Sequence, residues 1–331
     1  MNSAFGLYTH IRANRRRSAL LLSGLFVLVM LLVFSVDLIV GALLDEGALQ
    51  DRIQASTRHT LQATPLAALG VGLWILLAWR FHQALIDALT GGEPLARSDA
   101  PELYNLLENL CISRGMPMPA LHLVDSDALN AFATGMNPRQ YAISVTRGLV
   151  AALSREELEA VLAHELTHIR NGDVRLMVVA LVISGVVSLV AEVIFRLLLR
   201  GPRLRLPEGG GRAGRRVGGA LAAVAIGLAL IALAWLLSLV LRFALSRTRE
   251  FLADAGAVEL TGNPDAMVAA LMKISGRAEM PDVPSGIMEM CIENQKSGIA
   301  DLFATHPPIE ARIRALMDHA GGRLHAPAGL L

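Results

Sequence analysis

Long uncharged apolar runs alternate along this chain with segments of mixed polar and apolar spacing. Ser18 to Val36 is uncharged for 19 residues, and after Asp37 apolar character resumes to Leu44. Leu61 to Trp79 is uncharged for 19 residues, Leu176 to Ala191 for 16 and Val217 to Leu241 for 25. A bilayer core takes about 20 residues of helix, with a range of roughly 17–25. The first, second and fourth runs meet that length unaided. The third meets it only by carrying Glu192 and Arg196, an i,i+4 pair, near the far interface. A buried core helix is the competing expectation for that run. The pattern predicts about four transmembrane helices, at about 18–44, 61–79, 176–199 and 217–241.

The remaining segments read as soluble structure. Pro101 opens a helix that stops near Gly115. Leu121–Val124 and Tyr141–Val145 alternate as short strands, the second following an Asn137-Pro138-Arg139-Gln140 turn. Ser154-Arg155-Glu156-Glu157 is a capping box that starts a helix at about Arg155. Asn171-Gly172 is its stop signal, and Asp173 is suited to cap the next helix. From Ser246 onward the pattern is helical, interrupted at Pro264, Pro281, Pro284 and Pro307-Pro308. The fold expected is mainly α, a polytopic membrane protein carrying a small sheet. Residues 1–82 form an N-terminal segment with a cytoplasmic N-terminus, two spans and a short external loop. Residues 83–173 hold the first soluble block, 174–245 a membrane hairpin and 246–331 the second soluble block.

Composition agrees: 53% of residues are hydrophobic, 18% are charged and the mean hydropathy is +0.49, outside the usual range of soluble domains. Arg12, Arg15, Arg16 and Arg17 precede the first run, whereas Asp45, Glu46 and Asp51 follow it. That bias places the N-terminus in the cytoplasm. The run is too long for a signal-peptide core and reads as a retained anchor. The loop from Arg200 to Arg216 has six arginines and one acid, and it opposes the positive-inside rule if the hairpin's outer ends are cytoplasmic. A net charge of +1 argues against a nucleic-acid partner. Cys111 falls among Leu103, Leu106, Leu107 and Leu110 as a small core residue, and Cys111 and Cys291 alone make no disulfide framework.

Candidate chemistry centres on His164-Glu165-Leu166-Thr167-His168. Histidines four apart share one helix face, so both imidazoles can reach one zinc ion, with Glu165 beside them. Catalytic zinc takes three protein ligands and keeps one open position. Glu250 and Asp254, also i,i+4, provide the missing carboxylate. Alone they read as a solvated helix face. Paired with the histidines, Glu250 completes a His-His-Glu set, and Asp254 is placed to fix a histidine tautomer. His168 lies eight residues before Leu176 and Glu250 nine after Leu241, roughly 12–14 Å along a helix from the apolar runs. If those runs form a hairpin, both ligands emerge on the same side. His10, His59, His82, His122, His319 and His325 lack ligand spacing and read as surface or structural residues.

His164–His168, Ser246–Asp254, Asn130–Gly135 and Thr305-His306-Pro307-Pro308 together resemble the HtpX membrane zinc metalloproteases, relatives of the prenyl-protein (CAAX) zinc endopeptidases. The resemblance covers about Pro101 to Arg175 and Ser246 to Arg312. It implies a gluzincin-like α+β protease domain, with one zinc per chain at His164, His168 and Glu250 and Glu165 as base. It further implies that Asn130, Ala131, Phe132 and Ala133 bind substrate along an edge strand, and that His306 approaches the active site to help stabilise the oxyanion. Taken by itself, His306 before two prolines is equally a turn-forming residue.

The expected reaction is hydrolysis of peptide bonds in misfolded or damaged membrane proteins, at the inner membrane, with a multi-pass topology and a cytoplasmic catalytic domain. The expected partners are polypeptide substrates and the lipid bilayer. A CAAX-type prenyl-protein endopeptidase is the nearest rival and would carry more spans. A non-catalytic receptor or scaffold with a vestigial metal site is the rival of another class. An intramembrane site-2-type protease needs its motif in lipid, and Glu156, Glu157, Glu159, Arg170 and Asp173 surround this one.

Overall fold

The computed structural model describes residues 7–44, 48–200, 212–243, 248–288, 290–293 and 306–322. The chain divides into two compact units. One comprises Met1–Ser18, Phe81–Leu181 and Phe243–Leu331; the other comprises Ala19–Arg80 and Val182–Arg242.

The second unit is helical. It is built from parts of α1 (Leu7–Leu44), α2 (Leu49–Thr90), α6 (Asp173–Arg200) and α7 (Arg212–Phe243). Among the described residues, Ser23–Leu44, Leu49–Thr90 and Gly218–Leu237 are long and apolar enough to cross a membrane. The stretch expected to be an external loop before Leu61 is mostly helix, because α2 already starts at Leu49; residues 45–47 lie outside the described set. The expected loop from Arg200 to Arg216 is shortened in the same way by the start of α7 at Arg212, and residues 201–211 are not described. Asp37, the one charge interrupting the first apolar run, meets Nδ1 of His59 at 3.1 Å, so His59 does have a partner. Glu192 accepts a hydrogen bond from Arg196 Nε at 2.7 Å, the i,i+4 pair expected from the sequence.

The other unit holds a four-stranded mixed sheet in the order β1-β2-β4-β3. Its strands are β1 (Gly92–Pro94), β2 (Ala120–Val124), β3 (Ala131–Thr134) and β4 (Ala142–Thr146). β2 and β4 run parallel, and β3 pairs antiparallel with β4 in the register Phe132 to Ser144. β3 therefore stands at the edge of the sheet. Before β2, α3 (Pro101–Arg114) starts on a proline and ends at Gly115, whose φ of 60° a residue with a side chain rarely adopts.

A short α4 (Arg147–Ala152) leads to α5 (Arg155–Asn171), the helix of the zinc motif. The capping box at Ser154 and Glu157 is formed, and Gly172 closes the helix in the left-handed conformation. α5 is buried along most of its length. Leu103, Leu106, Leu107 and Leu110 of α3 pack in one core with Leu158, Val161 and Leu162 of α5 and with Leu121, Ile143 and Val145 of the sheet. These spacings are the i, i+3, i+4 stripe of amphipathic helices and the alternation of strands. α8 (Thr248–Thr261), α9 (Pro264–Ile274), a single turn α10 (Ser285–Met288) and α11 (Ile309–Ala320) complete the unit.

Candidate metal centre

α5 and α8 bring the three candidate ligands together. Along α5, His164 and His168 lie one turn apart and their rings meet edge to face, with centroids 4.7 Å apart. Glu250 sits in the first turn of α8, where the positive end of the helix dipole favours a carboxylate. Ligand atoms of His164, His168 and Glu250 all lie within 4.8 Å of one another, and all three residues are buried.

The spacing can be tested against a metal. Four ligands at about 2.0–2.1 Å in a tetrahedron stand roughly 3.3 Å from each other. Here the Nε2 atoms of the two histidines are 3.1 Å apart. Glu250 Oε2 is 3.7 Å from His164 Nε2, and Glu250 Oε1 is 3.7 Å from His168 Nε2. The carboxylate contacts are longer than ordinary hydrogen bonds. They suit groups arranged around a common cation, and nitrogen plus carboxylate oxygen is a donor set that zinc takes.

The far nitrogen of each imidazole is fixed by a carboxylate. His164 Nδ1 lies 2.9 Å from Asp254 Oδ1 and His168 Nδ1 lies 3.0 Å from Asp173 Oδ2. Each Nδ1–H then donates to its carboxylate, which leaves the Nε2 edge of each ring facing the cluster centre. The sequence gives Asp254 this role without a choice of histidine; the structure places it on His164. Asp173 reads in the sequence only as a helix cap, and the structure gives it a second position, on His168. Arg312 of α11, which nothing local in the sequence singles out, is buried and clasps Asp254 with Nε at 2.8 Å and a terminal nitrogen at 2.6 Å. Its other terminal nitrogen is 3.6 Å from Glu250 Oε2. Across the carboxylate, Arg249 Nε is 3.4 Å from Oε1.

Charge follows this geometry. Burial alone would lower the His164 pKa, but Asp254 and Glu250 outweigh it and raise it to about 9. Burial opposes ionisation of Glu250, yet His306 and His168 hold it well below the usual carboxylate range. Asp254 is likewise held low, with Arg312 overcoming its burial. Glu165 moves the other way, raised by burial. Both of its oxygens are buried without a hydrogen-bond partner among the described residues. Buried polar atoms are rarely left so, and a carboxylate in that condition is ready to accept a proton. His306 is buried with Nδ1 3.3 Å from Glu250 Oε2.

The four expected substrate-contacting residues lie elsewhere around the cluster. Ala131, Phe132 and Ala133 are in β3, at the sheet edge and packed on α5, and all are buried. Asn130 precedes the strand with its side chain fully engaged. Its Nδ2 donates to the carbonyl oxygens of Ala278 and Glu293, and its Oδ1 accepts from the N–H groups of Ala131 and Ile292.

Residues 97–320 match Peptidase family M48. This chain belongs to that family. A Protease HtpX homolog from Bacteroides fragilis is 36% identical to it over 321 residues, spanning 94% of this chain and 98% of the relative. A Protease HtpX homolog from Listeria monocytogenes is 34% identical over 322 residues, spanning 94% and 99%. The crystal structure of S. mikatae Ste24p aligns over 75% of this chain and 57% of that one, with 21% identity and a TM-score of 0.47. As a member of this metallopeptidase family, the chain hydrolyses peptide bonds.

Proposed function

We propose that this M48 peptidase is a membrane-bound zinc metalloendopeptidase with one zinc held by His164, His168 and Glu250. The observation that carries the reading is the convergence of three buried donors at near-tetrahedral spacing, with both histidine tautomers set by Asp254 and Asp173. Zinc supplies Lewis acidity there, polarising the scissile carbonyl and making water nucleophilic near neutral pH.

The chain's own groups do the rest. Glu165 takes a proton from the attacking water and returns it to the departing amine; a pKa raised by burial suits both steps. His306, buried against Glu250, faces the developing oxyanion. The edge strand β3, Ala131 to Thr134, binds an extended substrate through main-chain hydrogen bonds, reading backbone more than side chains. That mode fits loosely folded segments of misfolded or damaged membrane proteins.

The same proposal includes the membrane arrangement. α6 is the third of four spans, and its Glu192–Arg196 hydrogen bond of 2.7 Å neutralises two charges within it. Residues 1–82 carry two spans, 174–245 the hairpin, and 83–173 with 246–331 the protease domain. The N-terminal arginines and the catalytic unit face the cytoplasm, in the inner membrane.

Zinc stoichiometry and casein cleavage, measured together on detergent-solubilised full-length protein, test this. Wild type should hold one zinc and cleave. Glu165→Gln should hold zinc and lose about 10²–10⁴-fold in rate, the usual contribution of a positioned base. Full metal loading in Glu250→Ala would remove the third ligand. Preference for a prenylated CAAX peptide over casein would move the reading to the prenyl-protein endopeptidases.

A further inference from the structure

The outer edge of β3, where a substrate strand would pair, is taken by this chain's own residues. Phe132 faces Cys291 in an antiparallel bridge. The Ile292 N–H donates to the Ala131 carbonyl at 2.9 Å. Asn130 grips the same segment, accepting from Ile292 N–H at 3.2 Å and donating to the Glu293 carbonyl at 3.3 Å. Arg312, which also holds Asp254, donates to the Ile292 carbonyl at 2.7 Å. The bridge and the Ile292 to Ala131 hydrogen bond are main-chain contacts of the kind an added peptide strand makes with a sheet edge; the Asn130 and Arg312 side chains hold the backbone of the same segment.

The site beneath is shut. His164, Glu165 and Glu250 are 1%, 1% and 0% exposed, and Met290 to Glu293 are 4% exposed or less. The Cys291 thiol sits close enough to Glu165 to feel its charge. A polypeptide cannot reach a water held at Glu165 unless something beside it moves. Met290–Glu293 is the segment whose backbone bonds to Ala131, Asn130 and Arg312 a substrate backbone can take over, so the exchange leaves the edge satisfied.

We propose that Met290–Glu293 is an internal strand occupying the substrate edge, which keeps the peptidase latent until an incoming polypeptide displaces it. This rests on the peptidase reading of the His164, His168 and Glu250 cluster. It adds that activity is set by competition between the internal strand and the substrate. Poorly structured, strand-forming substrates should compete well, whereas compact ones should not.

A reversible crosslink tests it. Ala131 and Ile292 form the hydrogen-bonded pair, so Phe132 and Cys291 are a non-hydrogen-bonded pair, with α-carbons typically about 4.5 Å apart. That distance lies within disulfide reach. Phe132→Cys in a Cys111→Ala background should crosslink to native Cys291 under oxidised glutathione. The full-length, zinc-loaded crosslinked protein should cleave casein at least about tenfold more slowly than the same sample after TCEP, as expected when the open fraction falls by that factor. Zinc content should be equal in both samples. Ile292→Pro, which lacks the N–H given to Ala131 and Asn130, should raise kcat/KM above wild type and decides the matter if losing Phe132 alone abolishes activity. Equal rates with and without the crosslink, failure of the crosslink to form, or an Ile292→Pro protein no faster than wild type would each overturn the internal strand. Absence of cleavage in zinc-loaded wild type would overturn the peptidase reading itself.

Discussion

Thr167 fills the space in which a side chain on Gly256 would stand. A Cβ there would lie 2.5 Å from Thr167 Cγ2 and 2.9 Å from its Oγ1. This close approach sets the separation of α5 and α8, and hence of His168 and Glu250. Gly256→Ala should destabilise the protein by about 1–3 kcal/mol through overpacking and weaken zinc binding. Adding Thr167→Ala should restore part of both, since the two residues share one space. Thermal unfolding and zinc titration in detergent measure this. Unchanged values for Gly256→Ala would show that the helices are free to separate.

Asp173 holds the far nitrogen of His168, not the face turned to the cluster. Asp173→Ala removes the acceptor that fixes the His168 tautomer, at 3.0 Å from its Nδ1. Zinc affinity should fall by roughly 10–100-fold, the usual effect of losing such a partner. Competition with a fluorescent chelator reads it directly. Wild-type affinity in the variant would mean that packing alone orients the ring.

Arg312 and Asp254 should behave as one unit. Removing Arg312 takes from the buried Asp254 carboxylate its two guanidinium hydrogen bonds and leaves it the His164 contact, at a cost of about 3–5 kcal/mol. Arg312→Met should therefore unfold at a much lower temperature than wild type. Arg312→Met with Asp254→Asn should recover part of the loss, as a double-mutant cycle would show. Strict additivity of the two changes would refute the coupling.

Zinc uptake should release protons. A His164 pKa raised to about 9 means that the residue is protonated at neutral pH before metal enters and is deprotonated above 9. Glu250, held low, is already ionised and contributes no proton. Apparent zinc affinity should thus climb with pH by about tenfold per unit from neutrality and level off as pH passes the His164 pKa. Calorimetry in buffers of different ionisation enthalpy counts the protons at about pH 7. A count near zero would contradict the charged imidazole.

Much of this centre is legible in the sequence because its signals are local. His164 and His168, like Glu250 and Asp254, are spaced by one helical turn. The Ser154 capping box and the Gly172 stop bound the first of these helices. Asp173 is harder to read because the same residue suits a helix start, and only the fold shows its carboxylate turned back to His168. Arg312 lies 58 residues from Asp254 in sequence, on a helix where any arginine reads as solvated. The pairing of Cys291 with Phe132 is more remote still, and a segment bridged to a sheet at one residue carries no periodicity. The first two apolar runs are plain, but the polar stretch leading into the second reads as a loop. Its helical state comes from continuity with α2, which no local residue announces.

The bracketing of Glu250 by Arg249 and Arg312, at 3.4 and 3.6 Å, has an outcome for the protein's life history. When the cation departs, two guanidinium groups still compensate the carboxylate, so no lone buried anion forces the fold apart. The emptied molecule endures and can be refilled. On the proposed zinc reading, metal supply would then govern how many copies are at work, while the number of copies stays the same.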